Sequence, residues 1–352
     1  PAVPQKGRRR GGHLLQGAAA LVAGGGTGGH VYPNLAMLDL LRKKFDDIYY
    51  FGVGGIDEEL ATQKGLKFFK TDFVKFDRKN IFKNLSIPKK LEIATKKAAI
   101  MIRDLNPSVV LSKGGYASLP TALAALRLGI PVVCHESDVT LGLANRYARM
   151  KGAVMAYANK ESAVKYHGEF TGIPLRKELF SINRFDAREK LGLTKKTVLV
   201  IGGSSGAVSI NEVARFLPEK LGGKFCIIHV CGKGKSKGVS GDDYTEIEYV
   251  HDMPTYLAAA DVIVSRCGAT SLNEIAALRK KAVFIPLPKG TSRGDQVLNA
   301  EVAKRHGGII LPQSELNANT LAKCIMNADT PMTPLCISPN EKLLSLIMKQ
   351  IR

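Results

Sequence analysis

Three glycine clusters, each closing an apolar run, constrain this chain more than any other feature. They are Gly24-Gly25-Gly26-Thr27-Gly28-Gly29-His30, Lys113-Gly114-Gly115-Tyr116 and Gly202-Gly203-Ser204-Ser205-Gly206-Ala207. A glycine-rich turn between strand and helix lets backbone N–H groups come close to an anion at the positive end of the helix. Two clusters lie in the first half and one in the second, which predicts two nucleotide-sized halves facing one another across a cleft. Taken alone, such a turn also serves with no ligand at all. The first cluster is not a P-loop, because G-x-x-x-x-G-K-[ST] is absent. Nor is it a full dinucleotide fingerprint: Gly24–Gly29 fits G-x-G-x-x-G, but Tyr50-Phe51-Gly52 stands where an acidic residue would hold a ribose.

Apolar, β-branched runs alternate with helical patterns, the signature of βαβ units and a parallel sheet. In the first half the expected strands are Ala18–Ala23, Ile48–Gly52, Val109–Ser112, Pro131–His135 and Ala153–Tyr157. A helix is expected over Asn34–Lys44, with Leu35, Leu38 and Leu41 on one face and Arg42-Lys43-Lys44 at its negative end. The second half restarts the rhythm with Lys196–Ile201, a helix from about Ile210, and strands at Lys224–Val230, Asp261–Ser265, Ala282–Pro286 and Gly308–Leu311.

A chain of 352 residues, 45% hydrophobic, is long enough for two domains with a core each. The expected organisation is a disordered extension (1–12), an N-terminal Rossmann-like domain (13–165), a hinge at Tyr166–Arg176, a C-terminal Rossmann-like domain (177–338) and a C-terminal helix (339–352). For that helix, a return to the N-terminal domain is one expectation. The six cysteines show neither a C-x-x-C pair nor zinc spacing, which suits a reducing compartment. No apolar run approaches the roughly 20 residues that span a bilayer. The apolar stretch behind Arg8-Arg9-Arg10 runs straight into the first glycine loop, so its cleavage as a signal peptide would remove a strand the fold needs.

The net charge is +20, which favours polyanions. Between Lys70 and Lys97, nine basic residues face three acidic ones. Within that stretch Ile81, Phe82 and Leu85 interleave with lysines, a pattern that suits either an anionic bilayer surface or a helix packed on its own domain. Zinc spacing and an RNA-binding aromatic pattern are both missing, so nucleic acid is not an expected partner.

Four further positions carry chemistry. His30 opens a helix, where the positive end disfavours its protonated form; it is either a general base or a filler of the helix–sheet contact. Glu274 follows Arg266-Cys267-Gly268-Ala269-Thr270 and either accepts ribose hydroxyls or is an acidic residue favoured by the helix dipole. Asp295 and Gln296 begin another helix, where they either bind sugar hydroxyls or cap it.

In order along the chain, G-G-G-T-G-G-H-V-Y-P-N-L-A, G-G-Y-A-S, H-E-S-D, G-I-P-L-R, G-G-S-S-G-A, R-C-G-A-T-S-L-N-E-I and D-Q-x-x-N-A resemble glycosyltransferase family 28 over roughly Leu21 to Leu311. The resemblance implies an α/β GT-B fold, two Rossmann-like parallel-sheet domains facing a central cleft. It also implies an inverting transfer of N-acetylglucosamine (GlcNAc) from UDP-GlcNAc to the N-acetylmuramyl 4-hydroxyl of undecaprenyl-linked lipid I, giving lipid II. The same fold serves other UDP-sugar enzymes, such as diacylglycerol glycosyltransferases and UDP-GlcNAc 2-epimerases. By match to the motifs, Arg176 and the loop of Ser204, Ser205 and Gly206 would hold the diphosphate, and Val250 the uracil. Glu274 would take the ribose, and Asp295 and Gln296 the GlcNAc. Thr27, Gly28, Gly29, Tyr116 and Asn145 would line the acceptor side, with His30, Glu136 and Asn145 at the chemistry. No metal or cofactor is expected. The implied setting is the cytoplasmic face of the cell membrane, with a cell-wall synthesis complex as a partner. Asp138, Ser205 and Asp295 depart from the family's usual Asn, Gln and Gln or His.

Overall fold

Strands buried on both faces set the architecture. The computed structural model describes residues 15–26, 28–74, 85–203, 206–289 and 294–351; the expected extension at 1–12 lies outside them. The chain divides into two units, 1–174 with 338–352, and 175–337. Each carries one seven-stranded sheet.

In the first unit the strands are β1 (Leu15–Ala23), β2 (Phe45–Gly52), β3 (Lys67–Lys70), β4 (Val109–Ser112), β5 (Val132–Glu136), β6 (Val154–Tyr157) and β7 (Glu169–Phe170). They run parallel in the order β3-β2-β1-β4-β5-β6-β7. The chain winds outward from β1 to β3 and then returns to β4 on the other side, so the order reverses between β1 and β4. Open parallel sheets bind ligands at the carboxyl ends of the strands flanking such a reversal. The first two glycine clusters sit there.

The second unit repeats the plan with β8 (Thr197–Ile201), β9 (Cys226–Val230), β10 (Ser240–Gly241), β11 (Tyr244–Ile247), β12 (Val262–Ser265), β13 (Lys281–Phe284) and β14 (Ile309–Ile310). The order is β10-β11-β9-β8-β12-β13-β14, with the reversal between β8 and β12 beside the third cluster. One edge departs from the parallel rule: β10 pairs antiparallel with β11.

The central strands β4, β8 and β12 are buried at every position and read as near-continuous apolar runs for that reason, with Ser112, Thr197 and Ser265 at their ends. Hydrophobic clusters cover both faces of the first sheet, one built around Leu21, Phe51, Ile102 and Cys134, the other around Val22, Leu38, Tyr50 and Val133.

The expected helix Asn34–Lys44 is instead two, Gly28–Leu35 and Leu38–Arg42. Met37 donates to the Asn34 carbonyl, three residues back, which tightens the turn between them. The break lets Met37, Leu38 and Leu41 all point inward. Against them packs the C-terminal helix Pro339–Gln350 through Leu343, Leu346 and Ile347, and Asn340 donates to the Ala36 carbonyl at 3.0 Å.

Candidate functional site

The first glycine loop is held from beneath by a carboxylate. Asp57, fully buried in the first turn of the helix Ile56–Gln63, accepts the Gly26 N–H at 3.0 Å and the Val53 N–H at 3.0 Å. A side chain on Gly25, at φ +144°, would overlap the Asp57 carboxylate, so this turn admits only glycine there. Asp57 lies in an Asp57-Glu58-Glu59 run that reads from sequence as ordinary helix-start acidity.

Gly28 and Gly29 open the helix that carries His30. Thr27 lies outside the described residues. The His30 ring packs on the second glycine loop: its Nε2 is 3.4 Å from the place a Cβ on Gly115 would take. Tyr116 lies beside the first loop, its hydroxyl filling the space next to Gly26, and its ring leans on Phe73 at 5.3 Å. His30, Tyr116 and both loops therefore meet at the reversal between β1 and β4.

Asn145 fills the space left by the missing side chain of Gly114. Its amide donates to Glu136 Oε2 at 3.0 Å and to the His135 carbonyl at 3.3 Å. The Glu136 carboxylate also accepts the Gly142 N–H at 2.9 Å and the Asp138 N–H at 3.2 Å. Glu136 and Asn145 thus form one buried unit that organises the turn after β5.

In the second unit, Ser204 and Ser205 lie outside the described residues. Gly206, at φ +68°, rests on the Cys231 carbonyl with no room for a Cβ. Behind it runs a buried relay. Tyr244 donates to His229 Nδ1 at 2.6 Å, His229 Nε2 donates to Asn211 Oδ1 at 3.0 Å, and Asn211 Nδ2 donates to the Cys231 carbonyl at 2.8 Å. Burial pushes the His229 imidazole down to about 4, so it stays neutral at ordinary pH.

Arg176 and Glu274 are paired at 3.0 Å, both largely buried. Burial raises the Glu274 carboxyl above its ordinary value, and Arg176 opposes that rise. Arg266, at the carboxyl end of β12, donates to the Ile285 carbonyl at 3.0 Å and to Ser209 Oγ at 2.8 Å; burial lowers its guanidinium. Asp295 begins the helix Asp295–Arg305, and Gln296 Oε1 accepts the Leu287 N–H at 3.0 Å. Val250 is half-buried next to Tyr249, whose ring lies under Lys233 Nζ at 4.7 Å.

Of the expected membrane residues, Ile81 and Phe82 lie outside the described residues, and Leu85 is 80% exposed. The chain then forms the helix Ile87–Leu105, begun by Pro88 and stopped by Asn106 in the left-handed conformation. Its inner face buries Ala94, Thr95, Ala98 and Ile102, and its outer face shows Ile93 and Ile100 among Lys89, Lys90, Lys96 and Lys97. Among the described residues, no helix is long and apolar enough to cross a membrane, and no group of three or more His, Cys, Asp or Glu could hold a metal ion.

Two family models cover most of the chain: the glycosyltransferase family 28 N-terminal domain matches residues 20–154 and the family 28 C-terminal domain residues 197–336. The chain belongs to glycosyltransferase family 28.

Family 28 relatives extend along nearly its whole length. The UDP-N-acetylglucosamine–N-acetylmuramyl-(pentapeptide) pyrophosphoryl-undecaprenol N-acetylglucosamine transferase of Lachnoclostridium phytofermentans is 38% identical over 325 residues, spanning 87% of this chain and 89% of the relative. Its Clostridium botulinum counterpart is 37% identical, spanning 86% and 88%. Among solved structures, Acinetobacter baumannii MurG superposes with a TM-score of 0.71 at 24% identity, over 94% of this chain and 99% of that one. A putative UDP-N-acetylglucosamine 2-epimerase from Listeria monocytogenes reaches 0.67 at 11% identity, over 94% and 96%. These structural likenesses establish the GT-B fold and do not separate transferase from epimerase. The family 28 sequence relatives do, being transferases by name.

Proposed function

We propose that this chain is an inverting hexosyltransferase that moves GlcNAc from UDP-GlcNAc to the N-acetylmuramyl 4-hydroxyl of undecaprenyl-linked lipid I, forming lipid II for peptidoglycan. The observation that carries this reading is identity of 36–38% to transferases of that name over 86–87% of this chain, together with matches to both family 28 domains.

In this reading the second unit holds the donor. Arg176 and the N–H groups around Ser204, Ser205 and Gly206 take the diphosphate, Val250 meets the uracil through its backbone, Glu274 the ribose, and Asp295 and Gln296 the sugar. The Arg176–Glu274 pair compensates two buried charges, and in this reading the diphosphate takes the first and the ribose the second. The first unit holds the acceptor through Thr27, Gly28, Gly29, Tyr116, Glu136 and Asn145.

The attacking hydroxyl oxygen forms a bond to the anomeric carbon as the bond from that carbon to the diphosphate oxygen breaks. His30 accepts the hydroxyl proton, and UDP leaves with the electron pair. Negative charge grows on the departing diphosphate, where loop N–H groups and the Arg176 guanidinium can absorb it. No cofactor enters the scheme. A single displacement inverts the anomeric carbon and gives a β linkage.

The acceptor is embedded in a membrane, and the chain reaches it as a peripheral protein on the cytoplasmic face. Leu85 and the lysine-rich outer face of the helix Ile87–Leu105 support this placement. A cell-wall synthesis complex is the corresponding partner. The experiment that tests the reading supplies labelled UDP-GlcNAc with a lipid I analogue or with diacylglycerol, and also follows epimerisation of the free donor. Label should enter the lipid I analogue alone.

A further inference from the structure

Lys113 is the one buried lysine among the described residues, 4% exposed. Burying an ammonium is expensive, and a methionine would fill the same space without that cost. Its position is unusual in a second way, because it touches the ends of three strands. Its backbone N–H donates to the Ala23 carbonyl at the end of β1 at 2.9 Å. Its Cβ packs against Gly24, leaving 3.3 Å to the place a Cβ there would take. Its Nζ donates to His135 Nδ1 at 2.6 Å and to Ser137 Oγ.

The protonation pattern follows from the partners. His135 Nε2 lies 2.7 Å from the Gly172 carbonyl, which can only accept, so Nε2 carries the hydrogen and Nδ1 is left to accept from lysine. His135 and Ser137 flank Glu136, whose carboxylate gathers Asp138, Gly142 and Asn145. Lys113 therefore fastens the β5 turn on both sides of Glu136. Its neighbour Gly114 provides the space that the Asn145 amide occupies.

We propose that Lys113 is a positioning residue for the acceptor: its side-chain nitrogen locks the turn after β5 to the loop after β4, and thereby sets Glu136 and Asn145 in the place where the incoming sugar is received. The proposal rests on the reading of Glu136 and Asn145 as acceptor residues. Burial brings the Lys113 amine down to about 7, with Glu136 and Asp138 pulling it back up, and drives the His135 imidazole well below its ordinary value. Both forms of the amine have hydrogens for its two acceptors, so the lock survives loss of its charge.

The test is steady-state kinetics of the full chain with UDP-GlcNAc and a lipid I analogue. Lys113→Met should raise the acceptor KM about tenfold or more and leave the UDP-GlcNAc KM and thermal stabilisation by UDP within twofold of the parent. An acceptor KM within twofold of the parent, or donor and acceptor KM rising together, overturns the proposal. Should Lys113→Met fail to fold, Ser137→Ala keeps the lysine and removes one of its two acceptors; it should raise the acceptor KM about threefold, and no change overturns the proposal. Asn145→Ala separates the two levels. If it raises the acceptor KM while Lys113→Met and Ser137→Ala do not, Lys113 has no positioning role and the acceptor reading stands. If none of the three shifts it, the acceptor reading itself fails.

Discussion

His30 stands third in its helix with its ring against Gly115, and the Tyr116 hydroxyl fills the space next to Gly26. A general base there contributes about 10²–10⁴-fold. His30→Ala should therefore lower kcat by that factor while UDP-GlcNAc still stabilises the chain against heat; near-parental turnover would leave the ring as a packing element. In the proposed scheme Glu274 takes the donor's ribose. Removing its carboxylate would abolish that contact and leave Arg176 without its 3.0 Å partner. Glu274→Ala should raise the UDP-GlcNAc KM at least tenfold with the acceptor KM unchanged, as read by initial rates. Donor affinity equal to that of the parent would remove the ribose assignment. At this scale the sequence is legible where a residue type is rare in its setting, as for His30 after a glycine loop. It is opaque where an ordinary residue gains its role through burial. Asp57 looks like helix-start acidity until Gly26 and Val53 donate to it. Lys113 looks like a solvated loop lysine until His135 and Ser137 enclose it.

At the scale of elements, legibility follows burial. Val109–Ser112 is read from sequence with the bounds it has in the fold, since a strand covered on both faces is apolar nearly throughout, here Val109, Val110 and Leu111. The strands β3, β7, β10 and β11, at or next to a sheet edge, escape that reading. They are short, and Lys67–Lys70 has lysines at both exposed ends, so neither an unbroken apolar run nor a clean alternation marks them. The split of Asn34–Lys44 escapes it too, because the cause is tertiary: three adjacent side chains, Met37, Leu38 and Leu41, are drawn into one core against the C-terminal helix. Ile81, Phe82 and Leu85 precede the lysine-rich outer face of the helix Ile87–Leu105, and each basic residue near an anionic surface contributes roughly 1 kcal/mol. The triple change Ile81→Glu, Phe82→Glu and Leu85→Glu should cut binding to anionic vesicles at least tenfold in a sedimentation assay, with transfer to a water-soluble acceptor analogue retained. Unchanged vesicle binding would place the membrane contact elsewhere.

At the scale of the whole molecule, the same device appears twice. Each unit reverses strand order beside its first strand, and each places glycine loops at the carboxyl ends that flank the reversal. The fold alone is shared with a putative epimerase at a TM-score of 0.67, so architecture leaves the chemistry open and the residues decide it. In the proposed reaction a single displacement hands GlcNAc to a lipid-linked muramyl hydroxyl while protein groups take up the charge of the departing diphosphate. The most direct measurement is transfer from UDP-GlcNAc to a lipid I analogue in the presence of EDTA, with the anomeric configuration of the isolated product read by proton NMR coupling. Undiminished turnover and a β-linked disaccharide are expected; an α linkage, or turnover abolished by the chelator and restored by a divalent cation, would contradict a metal-free single displacement.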